Sequence, residues 1–253
     1  MLIDCILSEM IPGGFKTALQ LLNEEDEEEI VPTGVEHLDA ALQGGGLKAG
    51  SIYELVGESS VGKSQLCFQV CANATKSLRR REVLYIDTEG SFRTERIVQI
   101  AKTRDASVDE TRILAAIQHC RSTDAVELSS ALNQAMKLAE ANPRIGLVVL
   151  DSIAFPIRVE SESDRRKELV EGVAQQLLKF ALELRCIVVV VNQVTTESSG
   201  MLTSALGSSW SHRCTVRLWM VIDENGSKSI HITKSPFDPL TQILYKITVG
   251  KNL

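Results

Sequence analysis

The hydrophobic positions of this chain form short apolar runs that alternate with longer stretches of helical periodicity. The runs at 83–87, 147–151 and 187–191 are short and rich in branched aliphatic residues, which is typical of strands buried on both faces of a parallel sheet. Residues 94–102 and 124–141 instead repeat apolar positions every three or four residues, which predicts helices. Strands that alternate with helices predict an α/β fold with a mostly parallel central sheet flanked by helices.

The same patterns predict the remaining elements of the core. A helix is predicted at residues 35–42, followed by a strand at 51–56 and a helix at 65–72. A further helix is predicted at 109–121, and another at 165–184. The regular alternation indicates one domain and gives no sign of an internal repeat.

Composition sets the limits of the interpretation. With 253 residues, 44% of them hydrophobic, the chain can bury one sizeable core. No apolar run approaches the roughly 20 residues that cross a bilayer, and the first residues lack a basic signal-peptide segment, so we expect a soluble intracellular protein. The six cysteines contain no C-x-x-C pair, and Cys67 and Cys71 share one face of a helix. Buried free thiols are predicted, with a metal site as the less favoured alternative.

The net charge of −6 is concentrated in one segment. Residues 24–29 are six consecutive acidic residues, and the 33 acidic residues less these six leave 27, equal to the 27 Lys and Arg. The run therefore predicts an acidic linker beside a neutral body. A neutral body argues against a strong general nucleic-acid binder but leaves room for a local basic groove.

The strongest chemical signal is a phosphate-binding loop between a predicted strand and a predicted helix. Its residues satisfy the pattern G-x-x-x-x-G-K-[ST] and are Gly57, Glu58, Ser59, Ser60, Val61, Gly62, Lys63 and Ser64. The two glycines let the backbone N–H groups surround a phosphate, Lys63 neutralises its oxygens, and the Ser64 hydroxyl is a ligand for Mg²⁺. The chain is therefore predicted to bind a nucleoside triphosphate.

Three polar residues follow other predicted strands and complete this hypothesis. Asp151 ends an apolar strand in the Walker B pattern and is predicted to hold Mg²⁺ opposite Ser64. Position 152 is serine, so the general base must lie elsewhere, and Glu89 is the candidate to orient the attacking water. Gln193 is predicted to sense the γ-phosphate. The alternatives are that Glu89 is only a helix N-terminal charge and Gln193 only caps its strand.

Ahead of the acidic run stands an isolated Phe-x-x-Ala motif at Phe15 and Ala18. An isolated aromatic residue cannot form a core there. It could pack on its own domain, or it could insert into the sheet edge or pocket of a neighbouring protomer. The residues leave both alternatives open. We predict an N-terminal arm at 1–30 and an ATPase core at 31–253.

The ordered motifs resemble the ATPase core of the RecA-type recombinases, specifically the eukaryotic Rad51 group. The resemblance covers residues 13–250, and within the group the chain is most similar to the C-type paralogue. The motifs that carry the resemblance to the group are 57–64, 85–92, 147–152 and 191–194. Those most similar to the C-type paralogue are 151–158, 172–176, 205–212 and 234–236.

The resemblance implies ATP and Mg²⁺ as ligands, with the roles already assigned to Lys63, Ser64, Asp151, Glu89 and Gln193. It also implies roles at two further places, both of which require an oligomer. Phe15 and Ala18 would form the polymerisation motif that interlocks adjacent protomers. Lys234 and Pro236 would belong to a segment that caps ATP across a subunit interface, with Lys234 near a neighbour's γ-phosphate.

Two departures from the family pattern bear on DNA binding. About a dozen residues precede the polymerisation motif, too few for the family's helical DNA-binding domain, so duplex binding through that domain is not expected. The first of the loops that line the DNA channel retains Arg158, Arg165 and Arg166, whereas the second, residues 194–212, has no Lys or Arg. Weaker, less salt-sensitive binding of single-stranded DNA is expected.

The resemblance therefore predicts a RecA-fold ATPase with weak, DNA-stimulated turnover. It would act with the recombinase filament and with other paralogues, as a hetero-oligomer, on single-stranded DNA during homologous recombination. The nucleus is the expected location, with the cytoplasm left open as a second one. Two alternatives are a nucleotide-binding scaffold without turnover and, less favoured, an active strand-exchange enzyme.

Overall fold

The computed structural model describes residues 17–19, 29–42, 44–76, 80–159, 162–196, 202–236 and 241–247. The strands of these residues are β1 (Ile30–Val31), β2 (Leu47–Lys48), β3 (Ile52–Gly57), β4 (Glu82–Asp87), β5 (Ile117–Arg121), β6 (Ile145–Asp151), β7 (Ile187–Thr196), β8 (Leu202–Ser204), β9 (Val216–Ile222), β10 (Lys228–Lys234) and β11 (Gln242–Tyr245). The helices are α1 (Glu36–Ala41), α2 (Lys63–Ala74), α3 (Thr94–Arg104), α4 (Glu110–Ala115), α5 (Ala125–Ala141), α6 (Ala154–Val159), α7 (Ser163–Leu182) and α8 (Gly207–Arg213).

One large sheet organises the chain, and its strand order is β11-β10-β9-β3-β7-β6-β4-β5. The pairs from β9 to β5 along this order are parallel, while β10 and β11 continue the sheet with antiparallel pairing. Strand β8 pairs with the end of β7, and β1 with β2 forms a separate ribbon. The predicted α/β fold with a mostly parallel central sheet is confirmed.

The sheet separates two hydrophobic cores because successive side chains of a strand point to opposite faces. In β4, Tyr85 packs on one face with Phe68 of α2 and Ile97 of α3. The neighbouring Ile86 packs on the other face with Leu132 of α5. Helix α7 covers the same second face. Burial on both faces explains why the strands are apolar runs without alternation.

The prediction of one helix over residues 109–121 is wrong. The structure has the short helix α4, capped by the Asp109 side chain, which accepts a hydrogen bond from the backbone N–H of Arg112. The chain then enters β5, which pairs in parallel with β4 at the end of the sheet. The free edge of β4 offers a full set of backbone partners, and this long-range pairing overrides a weak local helical pattern.

The prediction of buried free thiols is confirmed for four cysteines. Cys67, Cys71, Cys186 and Cys214 are buried and unpaired, but Cys120 on the edge strand β5 is exposed. Cys5 lies outside the described residues. Among the helices of the described ranges, none is long and apolar enough to cross a membrane.

The predicted arm lies mostly outside the described residues, and Phe15 is among those not described. Ala18 is described, and it is helical and exposed. The division of the chain into an arm at 1–30 and a core at 31–253 stays a prediction.

Candidate nucleotide-binding site

The candidate site lies at the carboxyl ends of four neighbouring parallel strands, β3, β7, β6 and β4. The register places Gly57 of β3 opposite Gln193 of β7, and Asp87 of β4 opposite Asp151 of β6. Ligands of open α/β sheets bind at this end of the strands. The sheet therefore brings together residues that lie far apart in the sequence.

The phosphate loop joins β3 to α2, which begins at Lys63. Gly62 has φ +117°, a conformation that L side chains rarely adopt. A side chain at Gly62 would also collide with Ile247, and one at Gly57 would collide with the backbone carbonyl of Met220. Sequence reasoning explained both glycines by the phosphate alone. The close approach of the C-terminal strands, which only the fold reveals, is a second reason for glycine at both positions.

Lys63 lies folded against its own loop. Its Nζ donates to the backbone carbonyl oxygens of Gly57 and Glu58, both at 2.7 Å. Burial lowers the pKa of Lys63, and the negative charges of Asp151 and Glu89 oppose that effect. The ammonium group is thus held inside the loop, among groups that favour its charged form.

Asp151 is a deeply buried carboxylate of the site and is 2% exposed. Its Oδ2 accepts hydrogen bonds from the Tyr85 hydroxyl at 2.7 Å and from the Ser91 hydroxyl at 3.3 Å, and the Ser64 hydroxyl also bonds to it. Burial raises the pKa of Asp151, although these hydrogen bonds work against the shift. A buried negative charge at this position favours a bound cation.

Glu89 is held by two donors on the same oxygen. Its Oε1 accepts from the Ser152 hydroxyl at 2.5 Å and from Nε2 of Gln193 at 2.6 Å. Ser152 in turn exchanges two 2.8 Å hydrogen bonds with Thr88. The sequence showed Ser152 only as the absence of a carboxylate after Asp151, whereas the structure gives it a direct contact with Glu89.

Gln193 links Glu89 to one of the arginines predicted to bind DNA. Its Oε1 accepts from Nη1 of Arg158 at 2.5 Å, while the other guanidinium nitrogen donates to the carbonyl of Val194 at 3.0 Å. Arg158 is exposed on α6. The strand β7 continues beyond Gln193 to Thr196, so Gln193 lies inside the strand and not at its last residue as predicted.

Asp87 shapes the loop that carries Glu89, a role that sequence reasoning missed. Its carboxylate accepts from the backbone N–H groups of residues 89–92 at 2.7 to 3.3 Å, and from Arg121 of β5 at 3.3 Å. Burial by itself would raise the pKa of Asp87, but these hydrogen-bond donors lower it. An Asp directly before Thr-Glu-Gly-Ser was the available signal, since Asp readily bonds to the backbone of a following turn.

These groups face a cavity of about 700 Å³ lined by the phosphate loop together with Glu89, Asp151 and Gln193. An adjoining cavity of about 260 Å³ shares Gly62 and Gln65 with it and is also lined by Arg96. The Nε of Arg96 donates to Oε1 of Gln65 at 2.6 Å. The two cavities together provide room for the phosphates of a nucleotide and for a planar base beside them.

The donor set fits Mg²⁺ bound together with phosphates. A serine hydroxyl and a carboxylate are hard oxygen donors, which Mg²⁺ prefers, and Mg²⁺ commonly takes one or two protein ligands plus substrate phosphates. No group of three or more His, Cys, Asp or Glu side chains suited to a metal is found among the described residues. Ser64 and Asp151 would hold Mg²⁺ together with the phosphates of a nucleotide.

Other predicted site residues lie away from this cavity. The Nζ of Lys234 donates to the backbone carbonyls of Ser211 and Cys214 at the end of α8, at 2.9 and 2.5 Å. Pro236 is exposed beside it. Arg165 and Arg166 are exposed in the first turns of α7, and Arg165 forms an ion pair with a neighbouring glutamate at 3.1 Å. The roles predicted for these four residues stay predictions.

A parallel sheet with a phosphate loop after one strand and carboxylates at the ends of its neighbours defines a RecA-like protein of the P-loop class. Residues 27–251 match the Rad51 family. The chain is 30% identical to DNA repair protein RAD51 homolog 3 of Cricetulus griseus over 272 residues, which covers 94% of this chain and 72% of that protein. The chain belongs to the Rad51 family, and the predicted resemblance to a C-type paralogue is confirmed.

Proposed function

We propose that this chain is an ATP-binding Rad51 paralogue that promotes homologous-recombination repair by assembling, remodelling or stabilising recombinase filaments on single-stranded DNA. The observation that carries the proposal is that Lys63, Asp151, Glu89 and Gln193 line one cavity. Its similarity to a protein named for DNA repair supports the biological role. The nucleus is the location that this role requires.

In the proposed reaction, the loop N–H groups and Lys63 bind the phosphates of ATP, which is the substrate. Ser64 and Asp151 hold Mg²⁺, which when bound would neutralise charge on the phosphate oxygens. Glu89 accepts a hydrogen bond from a water molecule and orients it for attack. Glu89 can do so through its second oxygen, Oε2, while Ser152 and Gln193 hold Oε1.

The contacts of Gln193 support a coupling between nucleotide and DNA. Gln193 bridges Glu89 and Arg158 with hydrogen bonds of 2.6 and 2.5 Å. A phosphate of single-stranded DNA that binds Arg158 would compete for the guanidinium donors that now hold Gln193. Release of Gln193 would then change the hydrogen bonding of Glu89, and turnover would depend on DNA.

The scaffold alternative also has a specific observation in its favour. Lys63 is bonded to loop carbonyls and Glu89 to two side-chain donors, so both groups have partners within the chain itself. A chain that keeps these contacts with nucleotide bound would hold ATP without hydrolysing it. The partners proposed under either function are the recombinase and sister paralogues, reached through Phe15 and Ala18 and through Lys234 and Pro236.

The first test is ATP turnover by the purified chain at low salt, with and without single-stranded DNA. We expect DNA to stimulate turnover, Lys63→Ala to abolish nucleotide binding and turnover, and Glu89→Gln to lower turnover by about 10²-fold while ATP still binds. The matched control is Glu95→Gln, a nearby exposed glutamate on α3. If the wild-type chain binds ATP but does not hydrolyse it, both alone and with a sister paralogue, the ATPase function is rejected and the scaffold function remains.

A further inference from the structure

The phosphate loop is held from outside by a pair of side chains on the C-terminal strands. The Nζ of Lys228 donates to the carbonyl oxygens of Ser60 and Val61 at 3.0 and 3.2 Å. The Tyr245 hydroxyl donates to the same Val61 oxygen at 2.6 Å. Two successive carbonyl groups of the loop therefore have fixed partners in a part of the chain that no motif marks.

The strand pairing explains why these two side chains reach the same place. Lys228 opens β10 and Tyr245 ends β11, and the antiparallel register places them directly opposite each other. Directly opposed residues of an antiparallel pair project to the same face of the sheet. That face meets the loop, and Ile247, two residues after Tyr245, lies close to Gly62.

The direction of the contacts decides what they do to the loop. In a trans peptide, the carbonyl oxygen of one residue and the N–H of the next point in opposite directions. Lys228 lines neither cavity of the candidate site but a depression shared with Tyr245, which also borders the cavity of about 260 Å³. Holding the carbonyls of Ser60 and Val61 outward therefore turns the N–H groups of Val61 and Gly62 toward the cavity.

The loop needs such support because its own backbone is unusual. Ser60 has φ +64° and Gly62 has φ +117°, so two of three successive residues have left-handed conformations. The ordinary pKa of tyrosine, about 10, already keeps the Tyr245 hydroxyl protonated as a donor at neutral pH, and burial raises the pKa of Tyr245 further. Both contacts are thus available in the free protein, before a nucleotide binds.

We propose that Lys228 and Tyr245 are positioning residues of the phosphate loop, which orient the Val61 and Gly62 N–H groups for the phosphates of a nucleotide. This inference rests on the proposed nucleotide binding but concerns strands outside every predicted motif. It makes the C-terminal hairpin a part of the phosphate site. Removing either contact would make the loop less ordered and would lower the affinity of the site for nucleotide.

The experiment compares three variants of the full chain by their dissociation constants for Mg·ADP. Tyr245→Phe removes one hydrogen bond without changing charge, and Lys228→Met removes two hydrogen bonds and a charge. Each should raise the dissociation constant about five- to tenfold, while Lys228→Arg should stay within about twofold of wild type. The matched control, Lys137→Met on the exposed face of α5, should change nothing.

A second readout, amide hydrogen exchange over residues 58–64 without nucleotide, separates this inference from the proposed function. Tyr245→Phe and Lys228→Met should each speed exchange of these N–H groups about tenfold, with no general loss of protection elsewhere. Unchanged exchange in both variants would overturn the inference. Weaker Mg·ADP binding in Lys228→Met but not in Tyr245→Phe would also overturn it, because that result would indicate simple charge attraction. A wild-type chain that binds no Mg·ADP would overturn the proposed function, and exchange would then decide the inference alone.

Discussion

At the scale of single residues, Asp151 illustrates a conflict between stability and chemistry. Its carboxylate is buried, and the hydrogen bonds from Ser64, Tyr85 and Ser91 offset only part of the cost, so its pKa is raised. A carboxyl group whose folded pKa is raised binds a proton more readily when folded. The contribution of such a group to the free energy of unfolding is complete below its unfolded pKa of about 3.9. It is lost as pH rises through the folded pKa.

We therefore predict that Asp151→Asn stabilises the free protein at pH 7 while it removes Mg²⁺-dependent turnover. The expected gain in the free energy of unfolding is about 1 kcal/mol, because the uncharged amide avoids the burial of a charge. Urea denaturation at several pH values measures it, and the difference from wild type should shrink as pH falls. Asp164→Asn, at an exposed position of α7, serves as control. A less stable Asp151→Asn at pH 7 without ligand would refute the argument.

At the scale of secondary structure, helix α5 shows how residues near a helix terminus determine where the helix begins. Asp124 caps its first turn, with Oδ1 accepting from the backbone N–H groups of Val126 and Glu127 at 2.8 Å. Glu127 reaches back to the backbone N–H and the hydroxyl of Thr123, each at 2.7 Å. This reciprocal cap fixes the start of the helix that was predicted at residue 124.

Replacement of Asp124 by alanine should lower the free energy of unfolding by about 1 kcal/mol, since two N–H groups lose their partner. For a chain of this size the melting temperature should fall by about 2–4 °C. Differential scanning calorimetry measures the change, and affinity for Mg·ADP should be unaffected because α5 lies on the sheet face opposite α2. Asp124→Asn, which keeps a capping oxygen, should recover most of the loss; equal losses in both variants would exclude the cap as the cause.

At the scale of the whole molecule, one buried carboxylate joins four elements behind the site. Glu54 of β3 is fully buried and accepts from Asn192 of β7 at 2.7 Å, from the Trp210 indole of α8 at 2.8 Å and from Arg217 of β9 at 2.6 Å. Asn192 precedes Gln193 and accepts its backbone N–H at 2.8 Å. The network connects the strand before the phosphate loop with the helix at the end of the second predicted DNA loop.

Glu54→Ala should therefore lower the free energy of unfolding by about 3–5 kcal/mol, because it removes the carboxylate partner of Arg217, whose side chain is only 16% exposed. Guanidinium denaturation measures the loss. The double variant Glu54→Ala with Arg217→Met should lose clearly less than the sum of the two single variants. Additive losses would show that the ion pair does not couple these strands.

The sequence by itself determined the features that depend on neighbouring residues. The phosphate loop, the Walker B aspartate, the central strands β3, β4, β6 and β7 and most of the described helices are specified by short contiguous patterns. The fold class and Lys63, Ser64, Asp151 and Glu89 could therefore be named before the structure. The edge strand β5 was missed because its partner β4 lies about thirty residues earlier in the chain. No local pattern specifies such a pairing.

The tertiary structure alone decided how the candidate site is supported. Ser152 meets Glu89 across 63 positions of the sequence, and Arg158 meets Gln193 across 35. Lys228 reaches Ser60 across 168. Such contacts arise because parallel strands gather their carboxyl ends and antiparallel strands align opposed residues, and both follow from the sheet as a whole. Sequence therefore specified the reactive groups, while the order of the strands determined the residues that hold them in place.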